Sequence, residues 1–171
     1  LWSVEESLRN LKTAYLDTFL LHRPSPLMQS DEIAEAVTVL QKSGKIKAFG
    51  VSNFTPSQVA LIQSKIPVSA NQIEFSLTQC EVMYNGTLDY LFEKEIHPMA
   101  WSPLGTVFKV EDKQTIRIKA VLQKLSHKYQ LSEAALLLAF ILKHPAKASP
   151  VIGTTNKARI LDANKAVKTP L

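Results

Sequence analysis

Short apolar runs alternate with longer amphipathic segments along the whole chain. Val4, Leu8 and Leu11 recur at helical spacing, and Ser3 with Glu6 has the form of a capping box, so a first helix is predicted there. Residues 17–22 read as a buried strand, stopped by His22, Arg23 and Pro24. Between Asp31 and Lys42 the helical period returns in Ile33, Val37 and Leu40, with Gly44 just beyond the end. "IKAFGVS" at 46–52 is the second strand. Thr55, Pro56 and Gln58 open the next helix as N-cap, first helical residue and box partner. "SANQIEFS" is a third strand, "GTLDYLFEKE" a short helix, and "HPMAWSP" a fourth strand, followed by a loop to near Lys113. Helices are predicted over 114–127 and 132–143, the second capped by Ser132. "SPVIG" is a fifth, very short strand, and a last helix runs from Asn156 to Val167.

Strands alternating with helices imply right-handed βαβ units and a parallel sheet flanked by helices, an α/β fold. Two closures satisfy the pattern. One is an open doubly wound sheet. The other is a TIM-type (β/α)8 barrel, which takes about 250 residues. Five strands cannot close such a barrel, and periodicity alone does not choose between the two.

A chain of 171 residues, 46% of them hydrophobic, can bury a core and fits one domain over 1–171. The formal net charge of +5 suits an anionic small ligand. The basic residues are scattered and not interleaved with aromatics, which argues against a nucleic-acid partner. Cys80 is the single cysteine, so no internal disulfide framework exists and a reducing compartment is indicated. "AALLLAFIL" at 134–142 is too short to span a bilayer, and "LWSVEESLRN" lacks the pattern of a signal peptide. The expectation is a cytoplasmic protein with no membrane partner.

In both architectures ligands gather at the carboxyl ends of the strands. The first apolar run is followed by His22, the second by Ser52 and Asn53, and the third contains Gln72. The fourth ends in Trp101, Ser102 and Pro103, then Leu104 and Gly105. The fifth leads through Gly153, Thr154 and Thr155 into a helix whose first turn carries Arg159. Each has a plainer reading. His22, Ser52 and Asn53 can be turn residues, Gln72 a core hydrogen-bonding amide, and Trp101 a core aromatic. "GTTN" can cradle an anion on helix N–H groups, with Arg159 gripping a phosphate, or simply cap the helix through Thr155 or Asn156. The set as a whole favours one elongated ligand. No G-x-G-x-x-G follows a strand, which disfavours a Rossmann dinucleotide site.

Five stretches, "SLRNLKTAYLDTFLLHRP", "GKIKAFGVSNF", "NQIEFS", "MAWSPLG" and "PVIGTTNKARI", together resemble the aldo-keto reductase family in order and spacing. The resemblance implies a (β/α)8 barrel that binds NADP(H) in extended form and reduces aldehydes or ketones. It places His22 at the active-site histidine that orients the substrate carbonyl. Ser52, Asn53 and Gln72 match the groups bonded to the nicotinamide carboxamide, and Trp101 the aromatic stacked on its ring. Ser102, Leu104 and Gly105 match the pyrophosphate loop. Thr154 and Arg159 match contacts to the adenosine 2′-phosphate, which favours NADP over NAD. Gly153 stands where many members carry a lysine. Asp162 fits a frequent acidic position, whereas Ala163 replaces a common adenine-binding asparagine and Asn164 lies one place further on.

Hydride transfer to a carbonyl needs a positioned general acid. In the family this is a tyrosine served by a lysine and an aspartate, and the segment "D-T-A-x-x-Y-G" is missing here. Tyr15 precedes a strand, and Tyr84, Tyr90 and Tyr129 fall in loop or helix. The expectation is therefore an incomplete barrel of about five parallel strands, from the family's fourth strand onward, inactive alone. The alternatives are a nucleotide-binding subunit without turnover and a fragment that self-associates through open strand edges, its full-length parent being a monomer. Cys80, His97, His127 and His144 are read as bystanders without metal-ligand spacing, and "EKE" at 93–95 and "KVEDK" at 109–113 as solvated charge.

Overall fold

The computed structural model describes residues 1–169. They form two compact units, Leu1–Gln72 with Glu93–Ile96, and Ile73–Phe92 with the chain from His97 onward.

The first unit contains α1 (Trp2–Leu11), β1 (Leu16–Leu21), α2 (Ser30–Lys42), β2 (Ile46–Ser52), α3 (Pro56–Gln63) and the opening of β3 (Ala70–Glu74). β1 and β2 pair in parallel from Leu16 opposite Ile46 to Leu21 opposite Val51, and β2 pairs in parallel with β3 through Ser52 opposite Gln72. The core is made by Ile46, Phe49 and Val51 of β2 with Val59 and Ile62 of α3, all buried. α3 starts where the sequence indicates. The Thr55 hydroxyl accepts the Gln58 N–H at 3.4 Å, and Gln58 Oε1 accepts the Thr55 N–H at 3.0 Å.

Two local expectations fail in this unit. The first helix begins at Trp2 with no side-chain cap, so Ser3 lies inside its first turn and Glu6 is engaged by Arg9 at 2.8 Å. Val4 and Leu8 are buried, but Leu11 is exposed. β1 is not a buried strand. Its residues are half-buried or exposed, because it has a hydrogen-bonded neighbour, β2, on one side only.

The second unit contains the end of β3, a single 3-10 turn at Glu81–Met83, most of α4 (Thr87–Glu93), β4 (His97–Trp101), α5 (Lys113–Tyr129), α6 (Glu133–Leu142), β5 (Ser149–Pro150) and α7 (Lys157–Lys168). β4 and β5 are parallel, with Met99 opposite Ser149. The 134–142 run is the buried helix α6, packed with Val107, Leu122, Leu131 and Ala166. The third strand is shorter than "SANQIEFS" suggests, because the chain turns tightly after Phe75 into a Ser76–Gln79 bridge. The pairs β1–β2, β2–β3 and β4–β5 are thus parallel, and each strand precedes a helix. Among the described residues no helix is long and apolar enough to cross a membrane.

α5 starts at Lys113, one residue before the expected position, and its N-cap Asp112 lies in the charged stretch 109–113, which is therefore not only solvated charge. Asp112 Oδ1 accepts the Thr115 N–H at 2.8 Å, and the Thr115 hydroxyl accepts the Asp112 N–H at 3.0 Å. The Thr115 N–H bond holds the Asp112 carboxyl below its ordinary pKa. A lowered folded-state pKa stabilises the fold above the ordinary carboxylate range, and that contribution is lost as pH falls through the lowered value. Asp112→Asn is therefore expected to lower the melting temperature at pH 7 and to flatten its fall on acidification below pH 4, read by circular dichroism. An unchanged acid limb in the variant would contradict this role.

Candidate functional site

In the first unit the candidate groups are His22 just after β1, Ser52 and Asn53 at the end of β2, and Gln72 in the middle of β3. His22 stands one residue past β1, exposed, and among the described residues makes no hydrogen bond. Ser52 closes β2 and is buried, and its hydroxyl donates to the Gln72 carbonyl at 3.1 Å. That same carbonyl accepts the Asn53 N–H at 2.8 Å, while the Asn53 amide donates to the Ser52 hydroxyl at 3.0 Å. Asn53 is held at φ 61, a left-handed conformation that non-glycine residues adopt at a cost. Ser52, Asn53 and Gln72 therefore form one bonded cluster.

Gln72 contributes its backbone to that cluster, and none of the described hydrogen bonds uses its side-chain amide. The core amide is its neighbour. Asn71 is fully buried, donates to the Phe54 carbonyl at 2.9 Å, and keeps an unpartnered Oδ1. A tyrosine, a lysine and an aspartate do meet in this unit, at the opposite ends of the strands. Lys47 bonds Asp17 at 2.8 Å and lies 3.9 Å from the Tyr15 ring centre. The Asp17 hydrogen bond, helped by Tyr15, raises the Lys47 pKa above its ordinary value. Tyr15 precedes β1 and His22 follows it, so about 3.3 Å per residue separates them by roughly 20 Å. This trio cannot serve His22.

In the second unit a cavity of about 510 Å³ opens at the carboxyl ends of β4 and β5. Ser102, Leu104, Gly105, Gly153, Thr154, Arg159 and Asp162 all line it. Trp101, at the end of β4, is half-buried and is not among the lining residues. Ser102 follows it at φ 50, and the Gly105 N–H closes the turn onto the Ser102 carbonyl at 2.8 Å. Asp162 accepts the Ser132 hydroxyl, and Ser132 in turn caps α6 by accepting the Ala135 N–H at 3.0 Å. Lys165 also reaches Asp162, at 3.3 Å. Its carboxylate is thus already engaged.

"GTTN" takes the capping form. Asn156 Oδ1 accepts the N–H groups of Ala158 at 2.9 Å and Arg159 at 3.2 Å, and Thr154 Oγ1 accepts the Asn156 N–H at 3.2 Å. Two of the donors expected of an anion cradle are occupied, which leaves the Arg159 side chain as the main polar grip. Lys109, within the charged stretch 109–113, also lines the cavity and is not simply solvated charge. Among the described residues neither Lys109 nor Arg159 has an acidic partner. Its signal in the sequence was faint, because only the fold turns the 102–112 loop so that Lys109 faces the cavity. Of the histidines set aside, His97 bonds the Ser149 hydroxyl at 2.9 Å, and His144 Nδ1 accepts the Ala146 N–H at 3.1 Å.

A model of the aldo/keto reductase family matches residues 1–171. The chain belongs to the aldo/keto reductase family. Among its relatives, it is 42% identical to a 6-dehydroglucose reductase of Agrobacterium fabrum, over 99% of this chain and 57% of that protein. It is 41% identical to the oxidoreductase YdhF of Escherichia coli, over 96% of this chain and 56% of that protein. Its fold is that of an aldo/keto reductase from Klebsiella pneumoniae solved with NADP and acetate, with a TM-score of 0.88 at 24% identity. That match covers 98% of this chain and 59% of the other. The chain thus spans under two thirds of the length of the relatives it matches.

Proposed function

We propose that this aldo/keto reductase chain binds NADP(H) and belongs to an enzyme that moves a hydride between that cofactor and the carbonyl carbon of an aldehyde or ketone. The observation that carries the reading is the cavity in the second unit, where Lys109 and Arg159 are both without acidic partners among the described residues. Two cations on one concave surface call for an anionic group, and the fork of an arginine suits a phosphate.

On this reading Arg159 and Thr154 hold the adenosine 2′-phosphate, and Lys109 adds charge beside Gly153. Ser102, Leu104 and Gly105 lie along the pyrophosphate. Asp162, already bonded to Ser132 and Lys165, shapes the adenine end more than it binds it. In the first unit the Gln72 side-chain amide offers a donor and an acceptor that match those of a carboxamide. Ser52 and Asn53 hold its backbone in place, and in the second unit Trp101 offers its ring as a stacking surface. When bound, the reduced nicotinamide supplies the hydride. His22 donates a hydrogen bond to the carbonyl oxygen as charge develops there. On this reading none of Tyr15, Tyr84, Tyr90 and Tyr129 serves as the general acid beside His22. NADP(H) is the cofactor, a small carbonyl compound the partner, and the cytoplasm the compartment.

A second reading is a nucleotide-binding unit without turnover. The position of Tyr15, Lys47 and Asp17 at the starts of β1 and β2, away from His22, favours it for this chain alone.

Titration with NADPH and NADH, followed by tryptophan fluorescence, tests the cofactor. Tighter binding of NADPH is expected, and equal, immeasurably weak binding of both would remove the assignment. Incubation of the chain with NADPH and a panel of aldehydes is expected to give no turnover. Sustained oxidation of NADPH by a preparation of verified intact mass would overturn the inactive-alone reading.

A further inference from the structure

The cavity of the second unit is walled on one side by the turn Ser102–Gly105, whose middle is held by packing, Pro103 being buried and Leu104 lying against the core that contains Val107 and Leu136. Ser102 and Gly105 are both at positive φ, and the turn's internal bond is the 2.8 Å contact from the Gly105 N–H to the Ser102 carbonyl. The next residue, Thr106, is a joint. Its carbonyl starts the following turn by accepting the Lys109 and Val110 N–H groups at 2.9 and 3.0 Å. Its own N–H points the other way, to the Thr78 hydroxyl at 3.1 Å.

Thr78 belongs to the tight turn after β3. Its hydroxyl lies 3.3 Å from that of Ser76, which accepts the Gln79 N–H at 3.1 Å, and Ser76 and Gln79 also bridge through their backbones. The approach is close. A Cβ on Gly105 would stand 2.0 Å from Thr78 Oγ1 and 2.6 Å from Ser76 Oγ. The cavity wall therefore rests on two hydroxyls of a neighbouring turn, and the absent side chain of Gly105 makes the contact possible.

We propose that Thr78 is a positioning residue for nucleotide binding: its hydroxyl fixes the Thr106 N–H and with it the Ser102–Gly105 wall against which the pyrophosphate lies. The proposal rests on the NADP(H) reading of the cavity. Thr106 is exposed, so water can satisfy its N–H when the hydroxyl is removed, and folding stability loses little. The wall keeps the packing of Pro103 and Leu104 but loses the polar contact that fixes its Gly105–Thr106 end, which then spreads over more conformations that a ligand must order. A structural effect and a positioning effect thus separate.

The test compares Thr78→Val and Thr78→Ser with the unsubstituted chain. Thr78→Val is expected to weaken NADPH binding about tenfold with a nearly unchanged melting temperature, because displacement of a positioned group is costly. Thr78→Ser keeps the hydroxyl and is expected to restore binding. Hydrogen exchange at the Thr106 amide, measured without nucleotide, is expected to quicken in Thr78→Val and not in Thr78→Ser. Unchanged exchange in Thr78→Val overturns the proposal, whether or not nucleotide binds. Faster exchange with unchanged NADPH affinity also overturns it. A failure of the unsubstituted chain to bind NADPH removes the cofactor reading, and the exchange rates then still decide whether Thr78 holds the wall.

Discussion

Gly50→Ala is expected to destabilise the first unit by about 3 kcal/mol, the upper part of the range for overpacking a close-packed interior. Gly50 lies in β2 opposite Leu20 of β1. A Cβ there would stand 2.7 Å from the Ala70 carbonyl oxygen and 2.6 Å from Leu20 Cδ2. A leucine methyl can swing aside, but a backbone carbonyl of the adjacent strand cannot move without stretching the ladder beside it. That ladder includes the Ser52–Gln72 register on which the Ser52, Asn53 and Gln72 cluster depends. Thermal unfolding is expected to show a fall of roughly 6–12 °C for such a loss. Gly153→Ala is the control, since a Cβ there meets nothing within 4 Å. Equal melting temperatures for the two variants would show that β2 and β3 tolerate a wider spacing than the structure has.

Gly50 also marks the limit of reading the chain as a string. "IKAFGVS" announces a strand over its whole length, and β2 matches it residue for residue. Nothing in the string says that this glycine admits a neighbouring backbone. The same division holds elsewhere. Elements fixed by adjacent residues were legible, such as the Thr55 box, the Ser132 cap and the buried run of α6. Elements decided by tertiary surroundings were not. β1 has the composition of an interior strand but lies at an edge, and Ser3 with Glu6 spells a capping box that the earlier start at Trp2 leaves unused.

The candidate site divides in the same way. Strand-end positions pick out His22, Ser52, Asn53 and the residues after β4 and β5, because chain direction alone puts them at the carboxyl ends, whereas Gln72 is picked out as an amide inside a strand. Which amide of "NQ" is buried could not be read, since both lie in one short strand. The structure buries Asn71 and leaves the side chain of Gln72 without a hydrogen bond among the described residues. Lys109 and Thr78 were illegible for a different reason. Each acts on the cavity from a loop whose course depends on contacts distant in sequence, such as the bond from Thr106 to Thr78.

Arg159→Ala is expected to abolish the preference for NADPH over NADH. A hydrogen bond between charged groups contributes about 2 kcal/mol, which corresponds to roughly a 30-fold loss of NADPH affinity. NADH lacks the 2′-phosphate, so its affinity is expected to stay within about twofold, the range of surface substitutions away from a contact. Arg159 is exposed and makes no ion pair among the described residues, so its removal leaves no buried charge behind. Its backbone N–H still donates to Asn156, so α7 keeps its cap. The effect is therefore electrostatic and should fade as salt is raised, because an exposed charge pair is screened over about 10 Å at 0.1 M ionic strength. Lys109→Ala is expected to show the same sign and salt dependence with a smaller loss, since a flexible ammonium cannot match the arginine fork. Isothermal titration with NADPH and NADH at two salt concentrations measures all of this. Undiminished NADPH binding by Arg159→Ala would move the phosphate out of this cavity.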